Sequence, residues 1–319
     1  NLKQLSGCHF KDIRNSRIYY LHVVSEALIF DNIFENTEYV TNQPGCFWYD
    51  RSVKISIDNC KFIRIAAKGV DGYVFNNDNN NAADVTFNDC KFIDCGEKKG
   101  GRPLINALDG RSSLKFYRCD FNFSDQATSV SILDLRSNDA TFDNCRFVQC
   151  GPEAIYLCKD DNDFTFGTFK FTNNYVINNR GRFINGYNMQ SRPIIRGNTF
   201  TEMTITENSF ILLAHNQDEI ELVDNTFSKF TVSGENELNG GGIASIFDKN
   251  NAEFTLKYTN CRFYDNNNKH NKSPSSHGGS LQIGFSNINI NININVAIEK
   301  CEFKRNKAIG HGGGISIRS

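Results

Sequence analysis

The stretches ISIDNCKF (55–62), VTFNDCKF (85–92), LKFYRCDF (114–121) and ATFDNCRF (140–147) are copies of one pattern. Alternating apolar residues come first, then two polar residues, Cys or Asn, any residue, and Phe. LKYTNCRF (256–263) and VAIEKCEF (296–303) repeat it near the C-terminus. Weaker copies are LSGCHF (5–10), IFDNIF (29–34), FTNNYV (171–176), IRGNTF (195–200) and LVDNTF (222–227). The copies end at Phe10, Phe34, Phe62, Phe92, Phe121, Phe147, Val176, Phe200, Phe227, Phe263 and Phe303, and so recur every 24 to 40 residues. Self-similarity at such a period marks an array or a solenoid.

Alternation with period two makes each copy a strand rather than a helix. The phase then slips. In ISIDNCKF, Ile55 and Ile57 face one way, but the next inward residue is Cys60, three positions on. A three-residue step between same-facing residues is a corner. The residue before the Cys or Asn therefore carries the unusual backbone angles. It is Gly7, Asp31, Asn59, Asp89, Arg118, Asn144, Asn173, Gly197, Asp224, Asn260 and Lys300. Nine of these eleven are Gly, Asn or Asp, the residues that tolerate the left-handed region. A composition of 42 Asn, 27 Phe and 24 Gly against 5 Pro suits many short strands joined by tight corners.

A second apolar segment separates the copies, as in DGYVFNN (71–77), RPLINALD (102–109), VSILDL (130–135) and AIYLCKD (154–160). Each repeat thus offers three short strands and three turns. A coil of this kind buries its apolar face only against its neighbours. The fold class is all-β: a single-stranded right-handed parallel β-helix of about eleven coils, one domain over residues 1–319, about 50 Å long at the usual strand spacing. The chain starts at Asn1 and stops inside GGGISIRS (312–319), so it is expected to be a piece of a longer polypeptide.

The repeat resembles the right-handed parallel β-helices of the pectate-lyase-like superfamily. Within it, the chain is most similar to polymorphic outer-membrane protein (Pmp) repeats, marked by GGA[ILV] and FxxN. The residues that carry this likeness are FYDN (263–266), FKRN (303–306), GGGI (240–243 and 312–315) and GGSL (278–281). The resemblance implies an elongated, non-enzymatic surface or extracellular module for adhesion or structural assembly. Its partners would be a protein or glycan on a cell surface, or further copies of itself.

Stacking the coils makes columns. One runs through Cys8, Asn32, Cys60, Cys90, Cys119, Cys145, Asn174, Asn198, Asn225, Cys261 and Cys301. Parallel side chains a strand spacing apart do not suit disulfides. The column is read as buried free thiols and an Asn amide ladder, with no tetrahedral metal site. Pairing among Cys46, Cys95, Cys150 and Cys158, which lie elsewhere in the repeat, stays open. A second column stacks Phe10, Phe34, Phe62, Phe92, Phe121, Phe147, Phe200, Phe227, Phe263 and Phe303 in the core.

Candidate chemistry is sparse. A GHG tripeptide (310–312) is reminiscent of polygalacturonases but occupies a repeat turn, without that family's acidic motifs. Asp78, Asp109, Asp134 and Asp160 follow or end the second apolar segment in successive coils. Aligned at strand spacing, they could serve a glycosidase or hold calcium, but Asp also simply initiates turns. A carbohydrate-active or glycan-binding β-helix using this column is one alternative function. An intracellular filament or cytoskeletal component, compatible with free thiols, is another. Asn271 and Asn122 begin the two glycosylation sequons, and Asn271 is the better acceptor because it lies in a polar insert. A net charge of −1 without a basic stripe argues against nucleic acid as partner, and no apolar run is long enough to span a bilayer. No metal or other cofactor is expected.

Overall fold

The computed structural model describes residues 3–13, 26–39, 46, 53–67, 74–77, 82–96, 104–107, 112–123, 132–135, 139–151, 154–157, 167–189, 192–205, 209–215, 219–232, 242–247, 253–268, 281–284, 293–308 and 315–318. These residues contain strands and no helix. They form a right-handed parallel β-helix. Sheet I has eleven strands, from Gln4–Ser6 through Ser113–Tyr117 to Asn293–Glu299. Sheet II, also of eleven, runs from His9–Lys11 through Asp120–Asn122 to Glu302–Lys304. Sheet III collects the second apolar segments in seven strands, from Phe75–Asn77 to Gly242–Phe247. A four-stranded sheet of two-residue strands, Thr204–Ile205 to Lys307–Ala308, follows sheet II in the C-terminal part. Leu281–Gly284 pairs with Ile315–Arg318. Pairing is parallel and joins each coil to the next, so register is set by the repeat itself: Ile57 lies opposite Phe87, which lies opposite Phe116.

The corner between sheets I and II is where the repeat places it. All eleven expected residues have positive φ, from 50° at Asn59 to 70° at Gly197. Gly197 has a second reason to lack a side chain: a Cβ there would lie 2.6 Å from Asn173 Oδ1. Five residues further on lies a second left-handed corner, at Asp12, Asn36, Arg64, Asp94, Gln149, Asn178, Glu202, Lys229, Asp265 and Arg305. It ends the sheet II strand except in the coils of Asn36 and Arg64, where Ile33–Tyr39 and Lys61–Ala67 run on past it. Only in the coil of Phe121 is the place taken by a residue without positive φ, Phe123.

The core is the lumen of the coil. Inward residues of sheet I, such as Ile55, Val85, Leu114 and Ala140, are 0–2% exposed. The Phe column stacks with ring centroids 5.1 Å apart at Phe34–Phe62, 5.0 Å at Phe62–Phe92, 4.7 Å at Phe92–Phe121 and 4.9 Å at Phe121–Phe147. It resumes as Phe200–Phe227, Phe227–Phe263 and Phe263–Phe303, and Phe10 sits on Phe34 at the other end. Val176 interrupts it. There Phe171 and Phe183 lean in, 5.6 and 5.3 Å from the Phe147 ring. A second aromatic column in sheet I, Phe87–Phe116–Phe142, meets the first edge-on.

Candidate functional site

The ladder column has a single chemistry. Each side chain donates to the carbonyl three residues before the ladder position of the preceding coil. Asn32 Nδ2 reaches the Leu5 carbonyl (3.0 Å), Asn174 that of Phe142 (3.1 Å), Asn198 that of Phe171 (2.8 Å) and Asn225 that of Ile195 (2.9 Å). The thiols do the same. Cys60 Sγ donates to the Ile29 carbonyl (3.7 Å), Cys90 to Ile57 (3.2 Å), Cys119 to Phe87 (3.5 Å) and Cys145 to Phe116 (3.4 Å). Cys261 and Cys301 repeat this on Leu222 and Tyr258, and Cys8, in the first coil described, turns to its own Ser6 carbonyl. That shared donor explains why Cys and Asn interchange at one place. Asn adds an acceptor: its Oδ1 takes the backbone N–H of the previous ladder residue, as Asn174 does from Cys145 and Asn225 from Asn198 (2.8 and 3.0 Å). Facing a thiol, that N–H gets only a weak sulfur acceptor, as from Cys261 to Cys301 Sγ at 3.4 Å.

The second corner builds a parallel column that the sequence reading did not separate out. The residue after each left-handed position points inward: Thr37, Ile65, Cys95, Cys150, Asn179, Met203, Phe230 and Asn266 are buried. Asn266 Nδ2 donates to the Phe227 carbonyl and Cys95 Sγ to that of Phe62, at 3.1 Å each. The FxxN signature at 263–266 and 303–306 is this corner, running from the Phe column to the second ladder. Cys95 and Cys150 are therefore members of a column, not partners in a disulfide. Among the described residues no cysteine forms a disulfide. Cys158 lies outside the described residues. Burial is the leading cause that pushes Cys95 and Cys261 up to about 12, and it raises Cys90, Cys119, Cys145 and Cys150 as well. Asn179 Oδ1 and the Tyr258 hydroxyl are buried atoms left outside these networks.

Outside, the corner residues tie coil to coil. Asn59 bonds Asp31 (2.8 Å), Arg118 grips Asp89 through two bonds of 2.8 Å, and Asn260 and Arg196 share Asp224. At the second corner Asn36 reaches Asp12, Lys229 pairs with Glu202, and Arg305 with Asp265. These contacts hold Asp89, Asp224 and Asp265 below the usual carboxylate range, through the bonds from Arg118, Asn260 and Arg305 respectively.

Of the proposed Asp column, Asp134 alone lies among the described residues. Asp78, Asp109 and Asp160 lie outside the described residues, but the register of the strands before them is fixed. Asp134 lies inside Leu133–Leu135, opposite Asn106 and Tyr156. By chain count Asp78 comes one residue after its strand, Asp109 two and Asp160 three. Asn122 lies in sheet II, half-buried one residue after Phe121, whereas Asn271 and the GHG tripeptide are outside the described residues. Among the described residues, no three His, Cys, Asp or Glu side chains gather as a metal would need, and no helix is long and apolar enough to cross a membrane. An open cleft of about 410 Å³ lies on sheet I over Leu28 and Ile55, rimmed by Lys3, Glu26, Lys54, Ser56 and Thr86. It offers one carboxylate rather than the pair that acid–base hydrolysis of a glycoside uses.

No family model matches the chain, and neither a curated protein nor a solved structure matches it. The likeness to Pmp repeats thus rests on the quoted motifs alone.

Proposed function

We propose that this chain is an elongated, non-enzymatic module of a surface or extracellular assembly, acting in adhesion or as a scaffold in the manner of Pmp-like repeats. The supporting observation is where its polar groups are spent. Inside, the two ladders bond one coil to the next. Outside, the corner residues pair along the same axis. Such a surface has length and regularity, which suit extended contacts with a protein, a glycan or another copy. The offset of Asp134 from the counts of Asp78, Asp109 and Asp160 weighs against the glycan-cleaving alternative.

The test is direct. The protein should cleave none of a panel of acidic and neutral polysaccharides, and calcium should leave its melting temperature unchanged. Immobilised on beads, it should retain an extracellular protein or glycan ligand without altering it chemically. Glycan turnover abolished by Asp109→Asn or Asp134→Asn, with the fold intact, would replace this reading by the enzymatic one.

A further inference from the structure

Four consecutive coils place a thiol at the ladder position: Cys60, Cys90, Cys119 and Cys145, each at most 2% exposed. Their sulfurs repeat with the coil. Every one donates both to the carbonyl two residues before it and to the carbonyl of the preceding coil, so all four share one rotamer. Successive sulfurs are then separated by about one strand spacing, ~4.8 Å. Two metal–thiolate bonds of about 2.3 Å laid end to end span ~4.6 Å. Parallel sulfurs at that distance cannot surround a tetrahedral ion, but they match the two ends of a linear one.

We propose that the Cys60–Cys90 pair is a linear two-coordinate site for a soft monovalent d10 cation of the copper(I) class. Thiolates select such ions. Forming the site moves two protons, one from each thiol, to solvent, while the cation makes two bonds to sulfur and no electron is transferred. The product carries one net negative charge, and the column supplies donors for it. The Asn32 backbone N–H and its side-chain Nδ2, the latter 3.9 Å away, both face Cys60 Sγ. The Cys60 backbone N–H faces Cys90 Sγ. The Asn32 amide donor faces the sulfur of Cys60, so the pair at this end of the column fills before Cys119–Cys145.

Silver(I) serves as a redox-inert probe. Cys8 and Cys301, the half-buried column thiols, are first replaced by Asn, which other coils already carry there. The folded protein, titrated under argon and desalted, should retain silver. The first equivalent should bind more weakly in Cys60→Asn and in Cys90→Asn, should be lost in the double variant Cys90→Asn with Cys119→Asn, which leaves no two neighbouring thiols in the run, and should survive in Cys261→Asn. X-ray absorption of the singly loaded protein should show two sulfur neighbours and no nitrogen or oxygen. That measurement decides the matter even if a variant folds poorly. Silver held by three or more sulfurs, affinity unchanged in Cys60→Asn and Cys90→Asn, retention unchanged in the Cys90→Asn, Cys119→Asn double variant, or uptake only after the circular dichroism of the fold is lost would each overturn the site.

Discussion

At the scale of one residue, the ladder position asks for a donor aimed at one carbonyl, small enough for the lumen. Thiol and amide both meet this, and a carboxylate does not. Cys119→Asn should leave thermal stability equal or raise it, because Nδ2 inherits the bond to the Phe87 carbonyl and Oδ1 gains the Cys90 N–H. Cys119→Asp buries a charge without a cation and should cost about 3 kcal/mol or more at neutral pH. Its folded pKa would be raised, so stability is present below the unfolded Asp value and lost as pH rises; melts from pH 4 to 8 check this. Equal melting temperatures for the two variants at pH 7 would contradict the assignment.

The native thiols make a related alkaline prediction. Cys95 and Cys261 are raised from 9.0 to about 12, and several other buried thiols are raised too. The folded state therefore keeps protons that the unfolded chain gives up above about pH 9. Their stabilisation is complete below that value and is lost toward pH 12, at about 1.4 kcal/mol per pH unit per thiol. Cys60 runs the other way: its folded value is lowered, so its contribution grows as pH rises to about 9 and adds nothing to this slope above it. Melting temperature should fall steeply from pH 9 to 11, and less steeply in Cys119→Asn. A flat profile would show that the thiols are not buried as described.

At the scale of the element, corners and stacks decide which substitutions the coil accepts. Gln149 and Arg118 both hold left-handed φ of 54°. Relieving that conformation with Gly is worth about 1–2 kcal/mol before the entropy of the freer chain is subtracted. Gln149→Gly should thus raise the melting temperature, and Arg118→Gly should raise it less, since it also loses the Asp89 pair, worth about 0.2–1 kcal/mol when exposed. The opposite order would mean that the corner is not strained. Repeat consensus misleads at Val176. Phe fills that place in the other copies, yet Val176→Phe should destabilise by about 1–3 kcal/mol, because the Phe171 and Phe183 rings already occupy the space.

The first corner was legible in sequence because its left-handed residue is mostly Gly, Asn or Asp. The second was not, since five of its ten members are Arg, Lys, Glu or Gln, held left-handed by the coil rather than by their own preference. The residue after it varies from Cys95 to Met203 to Phe230, so its column shows no single chemistry. The ladder was legible as a column, but the carbonyl that Cys and Asn share lies in another coil, some 30 residues away, where no local pattern points to it. Of the Asp column, the structure describes Asp134 alone. Spacing by eye along the second apolar segment does not fix register, and it is strand pairing that sets Asp134 level with Asn106.

At the scale of the whole molecule, the same axial bonding sets how the protein fails. Each coil is held almost wholly by its two neighbours, through sheets I and II, the ladders and the Phe stack. A solenoid of this kind behaves as a chain of nearest-neighbour couplings, so a defect in the middle weakens communication between the ends. Phe121 lies between Phe92 and Phe147 and also meets Phe116 and Phe142 edge-on. Phe121→Ala should cost about 3–5 kcal/mol, and the loss should stay local. The expected result is two unfolding transitions in place of one broad cooperative one. Hydrogen exchange should show early loss of protection in Ser113–Tyr117, Asp120–Asn122 and the strands beside them, while Thr226–Ser228 and Arg262–Tyr264 keep theirs. The N-terminal coils, cut off from the C-terminal ones, should then unfold at lower denaturant with a smaller m-value, because less surface is exposed in each step. The same substitution at Phe303, which has a described neighbour on one side only, Phe263, should shift the C-terminal coils without splitting the transition. Uniform loss of protection along the whole chain in Phe121→Ala would show that the coils act as one globular core, and the picture of axial nearest-neighbour coupling would have to be given up.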